Sequence, residues 1–218
     1  MNHPNKIISF GEEVKGYNLP VLNEREIRAA AGILFLFMFI SLMLILFEGN
    51  FLMIKYVIIV FLGDLLTRVF VNPKFSPTLI IGRLIVRRQM PEYVGAAQKK
   101  FAWKIGIAIA GIMFFLLVVV NSYSIITGLG CLICLSFLFF ESAFGICLGC
   151  IVYNLVYKQK ARYCAGEICQ PHSKQEIQKI SGVQILVLVG LVAFIIVLLL
   201  LFNDAFIVRP RNLWSIIQ

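Results

Sequence analysis

Charge is scarce in this 218-residue chain: 14% of its residues are Asp, Glu, Lys or Arg, against about 25% in soluble globular domains. That scarcity excludes an ordinary soluble enzyme and a disordered regulator, which both need far more polar surface. Acidic residues are fewer still, 11 against 20 basic ones, for a net charge of +9. A basic balance can point to nucleic acid, but in so apolar a chain it reads as basic loops facing anionic lipid, and no nucleic-acid partner is expected. Cysteine is absent before residue 131 and after residue 169, so any thiol chemistry is confined to that stretch. The chain has no phosphate-binding glycine loop, no nucleophile elbow and no HExxH motif.

What is present is apolar: 60% of the residues, with 19 Phe among them, more than a core of this size can hide, so lipid must cover part of the surface. Residues 1–28 are polar and read as a cytoplasmic N-terminal arm without a signal peptide. Ala29 to Phe47 carries no charge and spans roughly 28 Å as a helix. Glu48-Gly49-Asn50 forms a tight break before a second span, Phe51 to Val71, which holds Lys55, Asp64 and Arg68 and ends before Pro73 and Pro77. Lys55 is expected to snorkel to the interface. Segment 76–98 mixes Leu79, Ile80, Ile81 and Leu84 with Arg83, Arg87 and Arg88, the pattern of an interfacial helix with arginines at head-group level.

A third span follows from Phe101 to Val120, then a turn at Asn121–Ser124 and a last span from Val183 to Phe202. Between them, Ile125 to Tyr157 would be roughly 50 Å as one helix. It either crosses once and projects, or breaks at Glu141-Ser142; a separate crossing by 143–157 is the six-span alternative. With a single crossing, every Lys and Arg except Lys55, Arg209 and Arg211 falls on the side of the N-terminus. The expected class is therefore an all-α, polytopic membrane helix bundle in a bacterial cytoplasmic (inner) membrane, N-terminus inside. It comprises a four-helix membrane domain at 29–157, a Cys-containing cytoplasmic loop at 158–181, and a fifth C-terminal span and tail at 182–218.

Several stretches then form a set: Val21-Leu-Asn-Glu-Arg-Glu-Ile-Arg-Ala-Ala-Ala-Gly32, Asp64-x3-Arg68, Asn72-Pro-x-x-Ser-Pro77, Lys100-Phe-Ala-Trp-Lys-Ile-Gly106 and Glu141-Ser-Ala-Phe-Gly-Ile-Cys-Leu-Gly-Cys150. In order and spacing the set resembles the bacterial integral-membrane family catalogued as domain of unknown function 4395, over about residues 20–157. The resemblance implies a compact four-helix membrane unit with its distinctive residues at one face, and no particular activity. The tail also resembles members with a Tyr-Cys-x3-4-Cys pair. Where those members carry Pro-Gly-Gly, this chain has Ala165-Gly166-Glu167.

The six cysteines form three pairs: Cys131/Cys134, Cys147/Cys150 and Cys164/Cys169. Cys147 and Cys150 share a helical face near the cytoplasmic end, and the loop carrying Cys164 and Cys169 is short enough to fold back onto them. A helix break would put Cys147 in the early turns of a new helix, where a thiolate is favoured. The first reading is thiol–disulfide or persulfide exchange at these four cysteines, with a soluble thioredoxin-like or sulfur-carrier protein as partner. The alternative makes the same four thiols a metal site for Zn²⁺, an iron–sulfur cluster or a transported soft metal, with His172 as a further candidate ligand. A structural or accessory membrane protein is the third. Cys131 and Cys134 form a candidate second pair whose bland role is packing. Asp64, Arg68, Lys100 and Glu141 are candidate supporting polar residues at the same face: Asp64–Arg68 as an i, i+4 ion pair, and Glu141 paired with Lys100, Lys104 or Arg68. The identity of a cofactor, and whether a homo-oligomer forms, stay open.

Overall fold

The computed structural model describes residues 10–12, 14, 20–157 and 180–212. It is all-α apart from two small two-stranded pairings. Helix α1 runs Glu24–Glu48, α2 Leu52–Leu66, α3 Pro77–Val86, α4 Ala96–Phe114, α5 Ile125–Phe139, α6 Leu148–Tyr157 and α7 Gly182–Ile207. Three of them end in single π turns: Thr67–Val71 after α2, Phe115–Val119 after α4 and Phe140–Phe144 after α5. Among the described residues, four segments are long and apolar enough to cross a membrane: Glu24–Glu48, Ala96–Val119, Ile125–Phe144 and Gly182–Ile207. The chain is a multi-pass membrane helix bundle.

Helix α2 and its π turn have the same reach, about 30 Å, yet carry Lys55, Asp64 and Arg68. All three are buried, at 1%, 3% and 4% exposure, so α2 shows lipid no charge. The hairpins are short for physical reasons. Gly49, left-handed at φ 62°, closes α1 by donating to the carbonyl of Ile45. Asn121, at φ 50°, turns the chain into α5, where Ser124 and Thr127 form a capping box.

The expected interfacial segment is divided. Strand β1 (Val21–Asn23) pairs antiparallel with β2 (Tyr93–Gly95), and α1 and α4 leave from the two ends of this ribbon. Helix α1 starts at Glu24, ahead of the expected apolar run, so residues 20–28 belong to the folded unit. Helix α3 lies against α1, where Gly82 faces the carbonyl of Glu26. Arg83 does not face outward. It is buried and pairs with Glu26 at 3.1 Å and Glu12 at 3.8 Å, because a charge facing a protein interior needs a counter-charge.

The long segment 125–157 breaks at Gly145, which is left-handed (φ 67°). Helix α6 packs on the start of α4, Gly149 on Ala102 and Tyr153 on Phe101. The β1–β2 ribbon and the Ser122–Tyr123 turn, which pairs with Arg211–Asn212, lie at opposite ends of α4 and its π turn.

Helix α7 is fastened at both ends. At its start, Gln184 Nε2 donates to the carbonyl of Lys74 at 2.8 Å. At its finish, Lys55 does not snorkel: its Nζ donates to the carbonyls of Phe206 (3.2 Å) and Val208 (3.0 Å) and to Asn121 Oδ1 (2.8 Å). A buried ammonium is satisfied here by the carbonyl-rich end of a helix. A short parallel pairing of β3 (Ser122–Tyr123) with β4 (Arg211–Asn212) seals the same corner.

Candidate functional site

The face that holds the N-terminal ribbon also gathers the polar residues. At its centre is Lys99, in the first turn of α4 and 3% exposed. Its Nζ lies 2.8 Å from Glu24 Oε2 on α1 and 2.6 Å from Glu141 Oε1 on the π turn after α5. Arg28, one turn along α1, faces Glu24 at 3.6 Å and Glu92 at 3.9 Å. Three carboxylates and two cations make up this network, which ties α1, α4 and the turn after α5 together at one point. Stripping water from such a network is costly, and each charge persists only because its partners are in place.

The break in 125–157 sits on this network. The π turn Phe140–Phe144 is closed by the Ile146 N–H on the Phe140 carbonyl at 3.0 Å, returning the chain beside Glu141. Gly145 is required twice over. Its backbone is left-handed, and a side chain there would run into the Arg28 guanidinium. Helix α6 then begins with Cys147 as its first cap: the Cys147 carbonyl accepts from the N–H of Cys150 (2.9 Å) and of Ile151 (3.2 Å). The missing side chain at Gly149 lets α6 touch Ala102 and holds the pair beside Lys99.

Both thiols are free and partly exposed. The Cys150 thiol donates to Cys147, and this hydrogen bond is the main reason the Cys147 thiol is held below its ordinary range. The Lys99 charge works in the same direction, against burial and Glu141. Cys150 is correspondingly pushed up, since its proton is engaged with Cys147. The free N–H groups at the start of α6 also favour negative charge at Cys147.

Asp64 and Arg68 form the expected ion pair, at 2.8 Å, inside a closed network. Ser76 and Thr78 donate their hydroxyls to Asp64, both at 2.7 Å. Arg68 donates in turn to Ser76 Oγ (3.2 Å) and Thr78 Oγ1 (2.6 Å) and covers the Trp103 ring at 4.9 Å. Its donors and acceptors being matched, this cluster fixes the end of α2 to α3 and α4. Trp103 is one turn from Lys99, so the two networks share a face.

Glu141 pairs with Lys99 rather than with Lys100, Lys104 or Arg68. Lys100 instead lies 4.7 Å over the Phe10 ring. Cys131 and Cys134 are buried in the core, each 4% exposed, within the crossing part of α5. Cys164, Cys169 and His172 lie outside the described residues. Among the described residues, no three or more His, Cys, Asp or Glu side chains gather to hold a metal.

Lys99, Glu24 and Arg28 were not singled out from sequence, although a signal for Lys99 exists. Lys99, Trp103, Ala110, Met113 and Leu117 recur with helical spacing and are all buried. That phase selects Lys99 over its neighbour Lys100 as the inward lysine.

Compared with known proteins, residues 22–158 match a family described as Domain of unknown function (DUF4395). No curated protein and no solved structure matches the chain.

Proposed function

The chain belongs to the DUF4395 family, whose description assigns no activity, and from the site itself we propose a membrane protein of thiol or sulfur chemistry that works through Cys147 and Cys150. The observation that carries this reading is the position of Cys147: its carbonyl caps the N-terminus of α6, where Gly149 packs on Ala102 of the same helix that carries the buried Lys99.

In the exchange, the Cys147 thiolate attacks one sulfur of a partner disulfide. A Cys147–partner mixed disulfide forms and the partner's other sulfur leaves as a thiolate. Cys150 then gives up its proton and attacks Cys147 Sγ, releasing the second partner thiol. The pair is oxidised to a disulfide and the partner is reduced to two thiols; the reverse sequence oxidises a dithiol. Attack on a persulfide would pass its outer sulfur to Cys147 by the same substitution.

Cys164 and Cys169 are the proposed second pair, exchanging with Cys147/Cys150 and with a soluble thioredoxin-like or sulfur-carrier protein. The basic side of the bundle, which also carries the cysteine site, is placed at the cytoplasm of a bacterial inner membrane, following the distribution of Lys and Arg.

A redox titration of the purified full-length protein, with thiols mapped by mass spectrometry and metals measured in parallel, tests the reading. The expected result is reversible formation of a Cys147–Cys150 disulfide without bound metal. One equivalent of zinc or iron, with Cys147, Cys150, Cys164 and Cys169 protected from alkylation, would replace exchange with a metal site.

A further inference from the structure

The end of α3 presents an arrangement that the thiol site does not use. Arg83, in its last turns, is turned inward to Glu26 and Glu12. Arg87 and Arg88 are exposed and make no ion pair among the described residues. The nearby acid, Glu92, is taken by Arg25 at 2.6 Å and Arg28 at 3.9 Å. Beside the two free guanidinium groups are apolar side chains equally unburied: Leu84 at 40%, Ile85 at 59% and Met90 at 56%. Leu84 and Ile85 are in the last turn of α3, Arg87 and Arg88 follow directly in the turn after it, and that turn is held by the Gln89 N–H on the Val86 carbonyl at 2.8 Å.

Position decides what such a corner meets. Helix α3 packs between α1 and the first turns of α7, both membrane-crossing, so its outer edge continues the lipid-facing surface at the level where the helices end. An isoleucine, a leucine and a methionine there enter acyl chains, while the adjacent guanidinium groups stay at the phosphates. Guanidinium forks match phosphate oxygens in pairs, and two unneutralised positive charges side by side select an anionic group over a zwitterionic one.

We propose that Arg87 and Arg88, with Leu84, Ile85 and Met90 beneath them, form a binding site for the headgroup of an anionic phospholipid. Native mass spectrometry of the full-length protein in detergent, titrated with phosphatidylglycerol, phosphatidylcholine or inorganic phosphate, tests this. Phosphatidylglycerol should bind in preference to phosphatidylcholine, and inorganic phosphate should not displace it. The double variant Arg87→Gln/Arg88→Gln should bind phosphatidylglycerol about thirty-fold more weakly. Lys104→Gln, which removes an exposed charge elsewhere on the same face, should stay within about twofold of the native protein. Equal binding by the double variant, or equal retention of phosphatidylcholine, would overturn the proposal. Displacement by inorganic phosphate would make the corner a phosphate site and overturn its assignment to lipid.

Discussion

Lys99 Nζ lies 2.6 Å from Glu141 Oε1, joining the first turn of α4 to the π turn that ends α5. The same ammonium reaches Glu24 on α1 at 2.8 Å. This contact holds Glu141 in the turn that precedes the break at Gly145, after which Cys147 begins a new helix.

Replacing Lys99 with Met should therefore be severe. It leaves Glu24, fully buried, without its nearest cation, and loss of one partner from a buried ion pair costs about 3–5 kcal/mol. Unfolding of the protein in detergent measures it. Glu141→Gln should cost less in the Lys99→Met background than in the native one, since the two residues act as a pair. Additive losses would show that they do not.

The hydrogen bond from Cys150 gives a pH signature. Cys147 should react with iodoacetamide at lower pH than an ordinary thiol, whose midpoint is near 8.5, and before Cys150. Cys150→Ala removes the donor that holds Cys147 down, so the midpoint of Cys147 alkylation should move up. Alkylation rates between about pH 5 and pH 10, resolved by peptide mass spectrometry, read this directly. A midpoint that stays put or falls in Cys150→Ala would remove the hydrogen bond from the account.

Much of the bundle is legible in the sequence because lipid-facing helices must be long and apolar, and Asp64–Arg68 is legible because its partners are one turn apart. The misplaced features share a cause. Glu24 and Glu26 mark the start of α1 as polar, yet both are buried, paired with Lys99 and Arg83 from distant segments. Arg83 and Lys55 likewise have partners far away in the chain, and periodicity within one segment does not disclose a counter-charge on another. The Cys147/Cys150 spacing is visible by inspection. Its position at a helix start is not, because that depends on a π turn, a left-handed Gly145 and the Arg28 side chain beneath it.

Lys55 links the family-matched part of the chain to the helix beyond it. Lys55→Met removes the donor from the carbonyls of Phe206 and Val208 and should cost about 1–3 kcal/mol. Hydrogen exchange at residues 203–208 should rise while exchange at the Gln184 end of α7 changes little. Uniform acceleration along α7 would mean that Lys55 is not a local fastening.

The most direct test of Cys147 as the attacking thiol is to trap the first step. Reduced Cys150→Ser and Cys147→Ser variants of the full-length protein are each mixed briefly with a chromogenic aromatic disulfide and mapped by mass spectrometry. Cys150→Ser should accumulate a stable mixed disulfide at Cys147, since the resolving thiol is gone, while Cys147→Ser should react slowly at Cys150. A faster adduct at Cys150, or none at either cysteine in folded protein, would contradict the account.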